Sequence, residues 1–204
     1  MENKKSDRIL KLLEEKFPDA KSELIHTNPF QLLISTILSA QCTDERVNKV
    51  TPELFREYPT PQLLSQAELK DIIEIIHSTG FFNNKAKNIK ACAIKIVENF
   101  NDKVPDNIED LLTLPGVARK TANVVLYNSF GKNEGIAVDT HVKRISQVLG
   151  LTQHTSPEKI ELDLMKQFPQ EKWGFLSQAL VLYGRYYCKA KKHDQTKCFL
   201  GGHD

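Results

Sequence analysis

The chain is poor in cysteine, has no long apolar run and carries almost no net charge. Its four cysteines lack the spacing of a secreted disulfide framework, so we expect free thiols in a reducing compartment. No apolar run approaches the ~20 residues that a bilayer-spanning helix needs. Residues 1–7 also lack the apolar segment of a signal peptide. These absences argue against a secreted or membrane protein and predict a cytoplasmic one, associated with the nucleoid if it binds DNA.

The remaining composition gives no direct indication of a partner. Apolar residues make up 40% of the 204 residues and charged residues 26%, with a net charge of +2. Such a mildly basic chain would bind nucleic acid only through a local patch. No period-two alternation predicts a strand and no internal repeat is present, whereas apolar residues recur at helical spacing along nearly the whole chain. The sequence therefore predicts an all-α fold.

Helix boundaries follow from caps and breakers. Ser6 or Asp7 can cap a first helix that ends at Pro18. The apolar stretch from Phe30 to Ala40 is rich enough to lie at the centre of a core. Residues 131–135 hold two glycines and form the best candidate for a crossing between domains.

The sequence LPGVARKTANVVL, residues 114–126, predicts two helices joined by a short turn. Pro115 and Gly116 end the first helix, and apolar residues resume at helical spacing after them. The turn of such a helix-hairpin-helix exposes backbone N–H groups at the positive end of a helix dipole, which suits a phosphate. The candidate DNA-binding residues of the turn are Leu114, Gly116, Val117 and Ala118.

Lys120 lies in the first turn of the second helix of the hairpin. The field of the helix N-terminus disfavours a positive charge there and so favours the neutral amine, which is a nucleophile suited to Schiff-base chemistry. The hairpin alone leaves an equal alternative, in which Lys120 is a solvated surface cation.

Read with AVDTHVKR at residues 137–144, the hairpin resembles the endonuclease III family of the helix-hairpin-helix superfamily. The resemblance extends to PFQLLISTILSAQCTD at 29–44, GFFNNKAKNI at 80–89 and YGRYYC at 183–188. It covers nearly the whole chain, with the motifs in the family's order. One departure lies in the hairpin, where Ala118 replaces the family's usual glycine.

The resemblance implies a fold and an activity. The expected fold has a six-helix, barrel-like bundle at residues 23–133 and a second helical lobe from residues 1–22 and 134–204, with the active site in the cleft between them. The expected protein is a monomeric bifunctional DNA glycosylase and abasic-site lyase of base excision repair. Its expected partner is double-stranded DNA with an oxidised pyrimidine or an abasic site.

The resemblance also assigns site residues. Lys120 matches the nucleophile and Asp139 the carboxylate that assists it, although Asp139 is also a good N-cap for a following helix. Gln41 matches the residue that fills the gap left by a flipped nucleotide, and Phe81 the apolar wedge. The structural alternatives are a helix C-cap for Gln41 and core packing for Phe81.

Basic residues near these motifs are candidates for phosphate contacts. They are Arg119 in the hairpin, His141 and Arg144 beside Asp139, and Lys191 in a basic tail. A solvated helix face is the simple alternative for His141 and Arg144.

The C-terminal segment departs from the family. The family's C-x6-C-x2-C-x5-C pattern holds a [4Fe–4S] cluster, and here Gln195 and Asp204 replace its second and fourth cysteines. We therefore predict no iron–sulfur cluster and no other cofactor. A lesser alternative is zinc held by Cys188, His193, Cys198 and His203.

Two other functions compete with the expected one. One is a glycosylase for a different damaged base, such as adenine or 8-oxoguanine. The other is a cluster-free protein that binds DNA damage without catalysis. The presence of both Lys120 and Asp139 argues against the second.

Overall fold

A computed structural model describes residues 2–194, 196 and 198–201, and all regular structure in this part of the chain is helical. The predicted all-α fold is confirmed. The chain forms two compact units, one from residues 23–130 and one from both chain ends, up to Ser22 and from Gly131 onward.

The unit of residues 23–130 contains seven α-helices in its described sequence. They are α2 (Pro29–Leu38), α3 (Asp44–Glu57), α4 (Pro61–Gln66), α5 (Leu69–Ile76), α6 (Phe82–Phe100), α7 (Ile108–Thr113) and α8 (Arg119–Phe130), with a 3₁₀ turn at His77–Thr79. Helix α2 packs against α3, α6 and α8. It buries eight of its ten residues, which makes it the centre of the core.

Helix α2 has this central place because its sequence PFQLLISTIL is apolar on nearly all sides. The Asn28 side chain accepts a hydrogen bond from the Gln31 backbone N–H at 2.9 Å, and Pro29 takes the first helical position. The C-cap of this helix is Ser39. The C-cap alternative considered for Gln41 is therefore excluded.

The unit made from both chain ends contains α1 (Glu2–Lys16), α9 (Thr140–Val148), α10 (Pro157–Gln167) and α11 (Trp173–Tyr186). Helix α11 packs against α9 and α1. Helix α1 begins before Ser6, so the predicted cap at Ser6 or Asp7 is wrong. The residues before Ser6 are already helical, so Ser6 lies inside the helix, where it is buried.

Aromatic residues pack the C-terminal segment onto α11. The ring of Phe199 lies 4.9 Å from that of Tyr183 and 5.3 Å from that of Tyr187, with edge-on geometry. The ring of Phe17, the residue that follows α1, lies 5.9 Å from the ring of Tyr187. Residues after Tyr187 thus fold back against the unit. Within the described sequence, no helix combines the length and apolarity needed to cross a bilayer.

Candidate active site and nucleic-acid interface

The hairpin turn has the predicted form, with α7 ending at Thr113 and α8 beginning at Arg119. The backbone N–H of Leu114 donates to the Leu111 carbonyl and that of Val117 to the Leu114 carbonyl, both at 3.1 Å. Leu114 and Val117 are buried, whereas Gly116 and Ala118 are exposed. The buried side chains of Leu114 and Val117 thus hold the turn in place, and Gly116 and Ala118 face solvent.

Gly116 is required by the geometry of this turn. Its φ of +78° lies in the left-handed region. A Cβ at this position would lie 3.0 Å from the Asn88 Cβ and 3.1 Å from the Ile37 Cγ2. Both neighbours belong to the same unit, on α6 and α2. The sequence indicated a glycine turn but gave no sign of Asn88, because contact between α6 and the turn is set by tertiary packing.

The departure at Ala118 is accommodated without strain. Ala118 is exposed and does not adopt a positive φ, so its Cβ neither clashes with the protein nor forces the backbone. Arg119 is also exposed, and Lys120 is partly exposed in the first turn of α8. The first backbone N–H groups of a helix have no partner within that helix. In α8 these groups lie beside the side chains of Arg119 and Lys120.

Asp139 is held rigidly in the other unit. It is the N-cap of α9, and its Oδ1 accepts a hydrogen bond from the Val142 backbone N–H at 2.8 Å. The preceding residues 135–138 are buried. They are fixed by bonds from the Ile136 N–H to Glu161 Oε1 and from the Ser177 hydroxyl to the Ala137 carbonyl. The carboxyl group therefore has a defined position at the start of α9.

His141 and Arg144 turn toward α11. The Arg144 Nη2 donates to the Gly184 carbonyl at 3.1 Å, and Nη1 lies 3.7 Å from the Cys188 Sγ. The His141 Nδ1 is buried without a hydrogen-bond partner among the described residues, and a Cβ on Gly184 would lie 3.0 Å from it. These atoms of His141 and Arg144 thus face protein, and their contact with DNA stays a prediction.

Gln41 and Phe81 share an unusual backbone conformation. Both are non-glycine residues with positive φ, 51° and 49°, and both are exposed. Phe81 is 64% exposed, so the core-packing alternative is wrong for it. A bulky residue with positive φ is a rare and strained arrangement. Neither conformation was foreseen from the sequence.

Lys85 supports the turn that carries Phe81, a role that the sequence did not reveal. Its side chain is only 4% exposed, and its Nζ donates to the Thr79 carbonyl at 2.8 Å. Burial lowers the pKa of the Lys85 ammonium, and the nearby Cys42 opposes that shift. Thr79 is the last residue of the 3₁₀ turn that precedes Gly80 and Phe81. The hydrogen bond therefore ties α6 to the chain just before these two residues.

Donor atoms come together at the C-terminal segment. The thiols of Cys188 and Cys198 and the imidazole of His193 each offer one ligand atom, and these atoms lie within 4.8 Å of one another. Lys191 is exposed nearby in sequence. Gln195, His203 and Asp204, which enter the predictions about this segment, lie outside the described residues.

Comparisons with known proteins show the family of the chain. Residues 34–170 match the model of the "HhH-GPD superfamily base excision DNA repair protein" family. Endonuclease III of a Synechocystis species is 54% identical over 96% of the chain and 90% of its own length. That of Bacillus subtilis is 41% identical over 97% and 90%. The chain belongs to the endonuclease III family of the HhH-GPD superfamily.

A solved structure of an endonuclease III is similar along nearly the whole chain. It is a trapped covalent intermediate with DNA, in an estranged-adenine complex. The TM-score is 0.92 at 42% identity, over 97% of this chain and 93% of the other. The family suggested by the sequence is therefore confirmed.

The prediction that the protein holds no cofactor is wrong. Endonuclease III relatives this similar to the chain typically carry a [4Fe–4S] cluster. The prediction rested on the two cysteines missing from the family's spacing and kept zinc at Cys188, His193, Cys198 and His203 only as a lesser alternative. A [4Fe–4S] cluster usually takes four thiolates, whereas the described donors are two thiolates and one imidazole. The donor set therefore differs from that of the usual cluster.

The crowding at Gly116 leads to a stability prediction. We expect Gly116→Ala to lower the free energy of unfolding by about 1–3 kcal/mol more than Gly131→Ala, because only the first new Cβ is overpacked. Gly131 is a matched control, since it also has positive φ, +66°, but nothing within 4 Å of an added Cβ. Urea unfolding followed by circular dichroism measures both losses. Equal losses would show that the contacts with Asn88 and Ile37 do not matter.

Proposed function

We propose that Lys120 and Asp139 perform the chemistry of this enzyme on oxidised pyrimidines in duplex DNA. As a member of the endonuclease III family, the chain is a DNA glycosylase with abasic-site lyase activity, and it acts in base excision repair on damaged double-stranded DNA. The observation that carries the residue assignment is the match of both positions to the family's motifs, each at the N-terminus of a helix. We place this activity at the nucleoid in the cytoplasm.

The position of Lys120 supports a role as nucleophile. Its side chain leaves the first turn of α8, next to the hairpin turn that is proposed to bind a phosphate. It is partly exposed, so a sugar can reach it. A covalent DNA intermediate trapped in a structurally similar endonuclease III agrees with nucleophilic catalysis of this kind.

The proposed reaction proceeds through a covalent intermediate on Lys120. The neutral Lys120 amine attacks C1′ of the flipped nucleotide, the C1′–N bond breaks, and the base leaves with the electron pair and takes a proton. Transfer of one amine proton to the ring oxygen O4′, with cleavage of the C1′–O4′ bond, then gives an iminium and opens the ring. This cation acidifies the C2′ proton, whose removal breaks the C3′–O bond and expels the 3′ phosphate. Water then hydrolyses the iminium and frees Lys120.

Asp139 serves as the carboxylate in this sequence. An ionised carboxylate near C1′ stabilises positive charge as the base departs, and it can accept the proton that the amine loses. The Val142 N–H fixes Oδ1 at 2.8 Å and leaves the second oxygen of the same group for chemistry. Capping and catalysis are therefore compatible roles for one side chain.

The hairpin turn binds a DNA phosphate in this proposal. Gly116 and Ala118 present backbone at the N-terminus of α8, where an anion is favoured. Leu114 and Val117 contribute by fixing the turn from inside. Additional phosphate contacts are proposed for the side chains of Arg119, His141, Arg144 and Lys191.

Gln41 and Phe81 enter the duplex in this proposal. Flipping a nucleotide costs a few kcal/mol of stacking and pairing, which an inserted apolar side chain offsets by wedging the helix. Phe81 is exposed and projects from a strained turn held by Lys85. Gln41, which is also exposed, fills the space that the nucleotide leaves. Oxidised pyrimidines stack poorly, so they cost least to extrude.

Borohydride trapping on duplex DNA with an abasic site tests the role of Lys120. Reduction of the iminium fixes the wild-type chain to DNA, and we expect Lys120→Ala to lose trapping by on the order of a thousandfold or more, because the nucleophile is gone. Lys87→Ala is a matched control, since Lys87 is an exposed lysine of the same unit, and it should trap normally. Undiminished trapping by Lys120→Ala would refute the assignment.

Single-turnover excision tests the wedge. Phe81→Ala should slow excision of an oxidised pyrimidine from duplex DNA by about tenfold, because the unstacking cost is no longer offset. Excision from a single strand should hardly change. Leu63→Ala removes another exposed apolar side chain of the same unit and should leave both rates alone. An equal loss on both substrates would mean that Phe81 does not act on stacking.

A further inference from the structure

Two thiols of the C-terminal segment are buried and close together in space. Cys188 follows the end of α11 and is 1% exposed, while Cys198 is 6% exposed, and both are reduced. The Arg144 Nη1 lies 3.7 Å from the Cys188 Sγ.

The His193 ring is oriented as a metal-binding imidazole. Its Nδ1 lies 2.9 Å from the Lys191 carbonyl, which can only accept, so Nδ1 is the donor nitrogen and Nε2 faces the thiols. Nε2 lies 3.1 Å from the Cys198 Sγ. Histidines that ligate metals usually donate their other ring N–H to a carbonyl or carboxylate in this way.

The separations among the three donors suit a shared metal. Sulfur and nitrogen ligands of a tetrahedral ion lie about 3.5–3.8 Å from each other, as follows from metal–ligand distances of about 2.0–2.3 Å. The atoms of Cys188, His193 and Cys198 lie within 4.8 Å of one another. Small side-chain movements would therefore complete coordination.

We propose that His193 is a metal ligand of this protein, which with Cys188 and Cys198 makes a set of two thiolates and one imidazole. His193 lies outside the four-cysteine spacing of the family, so the assignment concerns a position particular to this chain. Imidazole replaces thiolate on iron in some iron–sulfur centres, and the same pair of ligand types binds zinc. The bound centre would tie the segment that follows α11 back to the end of that helix.

Metal retention by the full chain tests this proposal. Metal-free protein is reconstituted separately with Zn²⁺ alone and with Fe²⁺ plus sulfide, then desalted, and bound metal and acid-labile sulfide are measured. In whichever arm the wild type retains metal, we expect His193→Ala to bind it on the order of a hundredfold more weakly. His193→Cys should restore retention, because a thiolate again fills the position. Retained iron with sulfide identifies an iron–sulfur centre with an imidazole ligand, and retained zinc identifies a single-ion site.

The matched control is His26→Ala. The His26 Nδ1 also contacts the carbonyl of the residue two positions earlier, Leu24, at 2.7 Å, but His26 is not part of the donor group. Circular dichroism checks that every variant keeps its helices. The proposal is overturned if the wild type retains metal in neither arm, or if metal content and absorption spectrum are the same in His193→Ala and His26→Ala.

Discussion

The hydrogen bond from the Val142 N–H to the Asp139 carboxylate is the constraint on which the proposed chemistry most depends. An N-cap bond stabilises a helix by about 1 kcal/mol, a small contribution to the fold. Its larger effect is positional, because it removes the rotational freedom of a charged group. The buried segment before Asp139, tied down by Glu161 and Ser177, fixes the backbone to which that group is attached. A carboxyl group placed in this way needs little reorganisation during a reaction.

Left-handed backbone occurs at three of the positions that we propose to contact DNA. Gly116 adopts it without strain in the hairpin, whereas Gln41 and Phe81 adopt it at a cost. A strained and exposed phenylalanine persists only where its surroundings hold it. The buried Lys85, bonded to the Thr79 carbonyl, provides such support. Rigid turns that present exposed side chains are what insertion into a duplex requires, since a flexible loop would lose entropy on binding.

The sequence predicted those features that depend on local chemistry. Apolar spacing indicated the helices, Pro115 and Gly116 the hairpin turn, and Asp139 the cap of α9. The sequence did not predict the features that depend on contacts between elements distant in the chain. Ser6 resembled a cap, but the helix continues through it into buried surroundings. The left-handed conformation of Phe81 and the support from Lys85 depend on contacts between elements. The sequence offered Cys188, His193 and Cys198 only as part of a lesser zinc alternative, because their spacing matches no recognised motif.

The most direct test of the account separates the two roles of Asp139. Asn is a good N-cap but carries no charge, so Asp139→Asn should keep the stability of the wild type within a few tenths of a kcal/mol, whereas Asp139→Ala should lose about 1 kcal/mol. Single-turnover strand cleavage at an abasic site should fall by on the order of a hundredfold in both variants, because both lack the carboxylate. A wild-type rate in Asp139→Asn would contradict the account, since it would show that Asp139 only caps α9.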